Sequence, residues 1–163
     1  MQQRPGLCTT PIVASAERIY VDPSALLKLY IHEPESAAMN AWRARVRGAL
    51  PITLHGRLEI ANGISLAAFR KAITTGAMAD ALLSFEEDLA EGRYTEIDVL
   101  WRATLRRAAD ISRTYTPKLG CRSLDVLHVA TALELGLRDF VTFDGRQQQV
   151  ARAVGLKSIT PRT

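Results

Sequence analysis

Arg18-Ile19-Tyr20-Val21, followed by Asp22-Pro23-Ser24-Ala25-Leu26-Leu27-Lys28-Leu29-Tyr30, is the junction that decides the fold. Its first four residues read as a short buried strand. Asp22 closes that strand, and Pro23 stands where a helix begins, a position at which its fixed φ fits and its missing N–H is not needed. Apolar residues then recur at helical spacing over 24–30. The same strand–Asp–helix step returns near the C-terminus, where DFVTF at 139–143 is closed by Asp144 and followed by a helical pattern over 147–154 that stops at Gly155. Between these junctions the pattern predicts helices over 35–46, 57–73, 77–89, 100–115 and 124–135, the last ended by Gly136. It predicts strands over 51–54 and 94–99, a loop at 117–120, and an edge strand over 157–160. Strands alternating with helices predict an α/β fold: one domain whose central, mainly parallel sheet carries helices on both faces.

The chain has 163 residues, which suits a single core, and 47% of them are hydrophobic, which excludes global disorder. No apolar run approaches the roughly 20 residues of a membrane span, so no membrane partner is expected. Residues 1–17 read as a disordered extension preceding a domain over 18–163; Ile12-Val13-Ala14 is too short an apolar stretch for an export signal. Cys8 and Cys121 form no CxxC pair, which disfavours a disulfide framework and a zinc site and fits a reducing, cytoplasmic setting. Lysine and arginine number 21 against 17 acidic residues, a net charge of +4 that mildly favours phosphate backbones.

Four carboxylates stand out. Asp22 and Asp144 close strands, Asp125 opens the 124–135 helix, and Glu59 lies in the early turns of the helix after PITL. Taken singly, each aspartate is a good helix cap, and Glu59 is an ordinary solvated residue. Taken together, they share the carboxyl end of the sheet, where α/β folds bind ligands. Like charges 4 Å apart repel by about 4 kcal/mol at an effective dielectric near 20. Such a cluster calls for protons or cations, and an oxygen-only donor set suits Mg²⁺ or Mn²⁺.

In four segments the chain resembles the PIN-domain nucleases, and most closely the toxins of VapBC-type toxin–antitoxin pairs. The segments are Ile19 to Tyr30 with Glu33-Pro34-Glu35-Ser36, Arg57-Leu58-Glu59-Ile60, Arg122 to Ala130, and Val141-Thr142-Phe143-Asp144 with Val150 to Leu156. The resemblance implies a Mg²⁺- or Mn²⁺-dependent endoribonuclease and an antitoxin partner of the VapB type. It also implies assembly as a homodimer or a toxin–antitoxin hetero-oligomer. It matches Asp22, Glu59, Asp125 and Asp144 to the family's acidic positions, the three aspartates holding metal and Glu59 completing the shell or orienting water. The chain departs from the family in residues 1–17 and in Leu54-His55-Gly56, where small hydroxyl residues are more usual.

Ser24 and Thr142 are expected to support Asp22 and Asp144 from behind. Lys28, Arg122 and Arg146 are candidates for RNA phosphates. His128, three residues after Asp125, reads as a satisfied core histidine rather than a general acid or base, and Trp42 and Trp101 read as core. Two other functions fit less well. One is a non-catalytic PIN-like module that binds RNA or protein. The other is an Asp-based phosphoryl-transfer domain, which would want D-x-D where Asp22-Pro23-Ser24 stands.

Overall fold

The computed structural model describes residues 15–163; the extension expected over 1–17 falls, for residues 1–14, outside them. Ser15 to Glu17 already belong to the domain. Ala16 is buried and its N–H donates to the Arg47 carbonyl at 3.0 Å, while Ser15 bridges to Arg47. The chain then forms β1 (Ile19–Val21), α1 (Pro23–Leu27), α2 (Ser36–Arg45), β2 (Leu50–Ile52), α3 (Leu54–Phe69), α4 (Thr75–Ala90) and β3 (Tyr94–Glu96). It continues through α5 (Trp101–Leu119), α6 (Ser123–Glu134), β4 (Asp139–Val141), α7 (Gly145–Ala153) and β5 (Lys157–Ile159).

All strand pairs are parallel. β4 lies between β1 and β5, and β2 pairs with β3. β1 also packs beside β2, but the hydrogen-bonded ladder is interrupted there, so the expected single sheet is two ladders side by side. Pro51 supplies a physical reason. Leu50 N–H and the Ile52 carbonyl bond toward β3, so the intervening residue is directed toward β1, and proline has no N–H to give. Across β3, β2, β1, β4 and β5 the chain order reverses between β1 and β4, where a parallel sheet opens a crevice at its carboxyl end.

The pleat separates two cores, because successive strand residues point to opposite faces. Ile19 and Val21 of β1, with Val141 of β4, pack with Leu26, Met39, Ile60, Ile64 and Phe85 from α1–α4. Tyr20 and Phe140 point the other way, to Ile111, Val126, Val129 and Val150 from α5–α7. Helices therefore cover both faces, as the alternation predicts.

The boundaries shift for local reasons. Thr53 accepts from Gly56 N–H at 3.0 Å and starts α3 three residues before the expected 57. The loop expected at 117–120 is mostly helical, with Pro117 in the last turn of α5 and Gly120 closing it at φ 65°. Tyr115 and Leu119 on either side of the proline pack against the second core, and this offsets the single lost N–H bond. α3 ends earlier than the expected 73. Lys71 takes a left-handed φ of 59°, and Ala72 N–H closes on the Ala67 carbonyl, a 6→1 helix stop. A side chain is strained there, so Lys71→Gly is expected to raise stability by up to about 1 kcal/mol in denaturant melts.

Candidate functional site

Asp22, at the end of β1, is the N-cap of α1 and only 5% exposed. Ser24 donates to its Oδ2 through both backbone N–H, at 3.2 Å, and hydroxyl. Its Oδ1 accepts from Gln147 Nε2 at 3.0 Å. Asp144, three residues past β4, is the N-cap of α7 and accepts from the N–H groups of Arg146 and Gln147 at 2.8 and 2.9 Å. Thr142 supports Asp144 differently from the expectation: its Oγ1 accepts from the Asp144 backbone N–H at 3.1 Å rather than bonding the carboxylate. Asp125, in the first turn of α6, accepts from Arg122 N–H at 3.0 Å.

These aspartates share one cleft of about 400 Å³, lined also by Ser24, Glu59, Arg122, Ser123, Leu124, His128 and Gln147. Among the described residues no lysine or arginine pairs with any of the three; the nearest cationic candidate is His128 Nε2, 4.0 Å from Asp22 Oδ1. Burial, and then the charges of Asp144 and Asp22, hold the Asp125 carboxyl above its usual range, although the Arg122 N–H pulls the other way. Converging, uncompensated oxygens are the donor set of Mg²⁺ or Mn²⁺, and the residues present fit such an ion.

Glu59, on α3, lines the same cleft. Its Oε1 is 2.7 Å from His55 Nε2 and 2.8 Å from His128 Nε2. His128 is buried, as the sequence reading expects, but it is not satisfied. Nδ1 meets Tyr20 Oη at 2.8 Å, whereas Nε2 makes no aligned hydrogen bond. Burial depresses the His128 pKa, but contact with Glu59 and the charges of Asp22 and Asp125 outweigh it and raise the balance. Tyr20 is pushed well up, first by burial and then by Asp22 and Glu59, and stays a neutral phenol.

The basic candidates divide. Arg122 is exposed and lines the cleft. Arg146 is exposed and donates to the Gly120 carbonyl at 3.1 Å. Lys28 Nζ pairs with Glu33 and, at 2.8 Å, with Glu35. Burial would lower its pKa, but these carboxylates raise it, and Lys28 is not among the residues that line the cleft. Trp42 packs against the first core. Trp101 does not follow the core reading; it is 40% exposed and stands edge-on to His55.

Two site residues escape the sequence reading. Gln147 is 1% exposed and ties Asp22 to the Asp125 carbonyl, the latter at 3.4 Å. Its position, three residues after the Asp144 cap, is the only signal of it in the sequence. His55 precedes Glu59 by four residues, a same-face helical spacing.

The PIN domain family matches residues 19–153. Ribonuclease VapC46 of Mycobacterium tuberculosis is 30% identical over 148 residues, covering 88% of this chain and 97% of that protein. Ribonuclease VapC35 of the same species is 31% identical over 150 residues, covering 88% and 96%. A crystal structure of FitAcB from Neisseria gonorrhoeae superposes with a TM-score of 0.57 at 18% identity, covering 86% of this chain and 96% of that one, which is a likeness of fold. The chain belongs to the PIN-domain family, among relatives of the VapC type.

Proposed function

We propose that this protein is a Mg²⁺- or Mn²⁺-dependent endoribonuclease and the toxin of a type II toxin–antitoxin pair, cutting cellular RNA and so arresting translation and growth. The observation that carries the reading is the gathering of Asp22, Asp125 and Asp144 in one cleft with no lysine or arginine partner among the described residues. Its relatives, named ribonucleases, support it.

Asp22, Asp125 and Asp144 would hold the ion, with Glu59 completing its shell or orienting the attacking water; when bound, the ion acidifies water and neutralises phosphate oxygens. Ser24 and Gln147 keep both oxygens of Asp22 aimed into the cleft, and the α7 N-terminus fixes Asp144. Arg122, at the mouth, offers a guanidinium fork to the RNA backbone. Residues behind metal ligands typically matter 10- to 100-fold, so Gln147→Leu is expected to lower cleavage by about that factor while the fold persists by circular dichroism. Arg122→Ala is expected to raise KM for RNA several-fold and leave kcat nearly unchanged.

The antitoxin is proposed to dock on α3 and α4, which leave Leu58, Phe69 and Leu83 exposed at 65%, 83% and 59%. Apolar side chains so exposed fit an amphipathic segment of a partner. Inducible expression of the chain, with cleavage sites mapped across cellular RNA and Asp22→Ala as control, tests the function. New 5′ ends should accumulate only with the unaltered chain; the same ends in the control would remove the reading.

A further inference from the structure

His55, Glu59 and His128 make a second grouping at the inner wall of the cleft, and the reading above leaves both imidazoles without a task. Their nearest ligand atoms all lie within 4.8 Å of one another. His55 Nε2, Glu59 Oε1 and His128 Nε2 are each shut off from solvent and none makes an aligned hydrogen bond, although the nitrogens stand only 2.7 and 2.8 Å from the oxygen. A histidine–carboxylate pair stabilised for its own sake would point a ring N–H at the carboxylate. Here both rings approach the oxygen without doing so. The three atoms are close enough for a single ion to draw on all of them once they part by about half an ångström, as bonds of about 2 Å require.

The scaffold suits that arrangement. His55 and Glu59 are one turn apart on α3 and share a face, and His128 comes from α6 opposite them. His128 is 2% exposed, and Tyr20 Oη at 2.8 Å from Nδ1 can accept the Nδ1 proton. That contact fixes the ring and leaves the Nε2 lone pair free, as a partner behind a metal-bound histidine does. Trp101 lies edge-on to the His55 ring, 5.9 Å between centroids. Glu59 and His128 also line the cleft, which supplies an access route and room for a water or a substrate oxygen.

We infer that His55, Glu59 and His128 form a binding site for a transition-metal dication of the Zn²⁺ class, beside the three-aspartate group and sharing Glu59 with it. Two imidazole nitrogens and one carboxylate oxygen, with a position left open, are the donors such an ion takes, whereas Mg²⁺ prefers oxygen alone. The inference does not depend on the nuclease reading.

The test uses the full chain stripped with EDTA and then kept in excess Mg²⁺ to occupy the aspartates. Zn²⁺ is titrated calorimetrically, and Co²⁺ is added as a visible-absorption probe. One equivalent of Zn²⁺ should bind despite the Mg²⁺, Co²⁺ should develop a ligand-field band that Zn²⁺ bleaches, and the ¹⁵N resonances of His55 and His128 should move. Binding should weaken at least about tenfold in His55→Ala and persist in Asp144→Asn. His55 is half-buried at the start of α3, so its replacement tests the site without emptying the core at His128. Absence of Zn²⁺ binding, or binding lost in Asp144→Asn and unchanged in His55→Ala, would overturn the inference. Mg²⁺-dependent RNA cleavage alongside either result would leave the nuclease reading intact.

Discussion

Replacing Asp22 with asparagine is expected to lower RNA cleavage at least about 100-fold, more than the 10- to 100-fold typical of residues standing behind a ligand. The change is isosteric and keeps the side chain in its buried seat, 5% exposed. It removes one negative charge and replaces one oxygen with an NH₂ group. That NH₂ must face either the Ser24 backbone N–H or Gln147 Nε2, both of which donate to Asp22, so a donor meets a donor and the remaining oxygen is turned from its aim. Stability should not fall in parallel. The charges of Asp144 and Asp22 help to hold the Asp125 carboxyl up, so the metal-free protein loses a repulsion when Asp22 is neutralised. A thermal melt without metal should show an unchanged or higher midpoint beside the lost activity. A variant that cuts RNA at the wild-type rate would remove Asp22 from the metal group.

The largest effect on stability is expected at Phe140. It is fully buried in β4, the central strand of its ladder, and stacks on Tyr20 at 5.5 Å with an interplanar angle of 7°. Phe140→Ala empties the second core where β1, β4, α6 and α7 meet, and such truncations cost about 3–5 kcal/mol. For a domain of this size each kcal/mol lowers Tm by roughly 2–4 °C, so a drop of about 6–20 °C should appear in calorimetry. Tyr20 carries the His128 contact, so the same variant should also loosen the inner wall of the cleft. A shift of only a degree or two would show that the second core repacks freely around the gap.

Much of this was legible because strand, cap and helix follow one another in sequence. Asp22-Pro23 after RIYV and Asp144 after DFVTF are local patterns, and parallel pairing of their strands brings them to one end of the sheet. Asp125 opens its helix in the same readable way. The break between the ladders was foreshadowed by Pro51, but a proline alone does not say which neighbour it faces; the bonds of Leu50 and Ile52 do. What stayed hidden depends on long-range contact. Gln147 is a polar residue in a polar helix turn until α7 docks and buries its amide against Asp22. Glu59 keeps its expected helix but meets His128, 69 positions along the chain, through α3 facing α6. The His55–Glu59 spacing was visible, yet only the fold shows that its third member comes from another helix. Lys28 flanks an acidic motif in sequence, but in space it pairs with Glu33 and Glu35 and is not among the residues that line the cleft.

The most direct test of the central claim is single-turnover cleavage of one RNA substrate across a Mg²⁺ titration, with the wild type and Asp125→Asn side by side. The three-aspartate cleft requires wild-type cleavage to vanish in EDTA, return with added Mg²⁺ or Mn²⁺, and stay near background in Asp125→Asn at every concentration. Cleavage that persists in EDTA, or an Asp125→Asn curve that overlays the wild type, would contradict it.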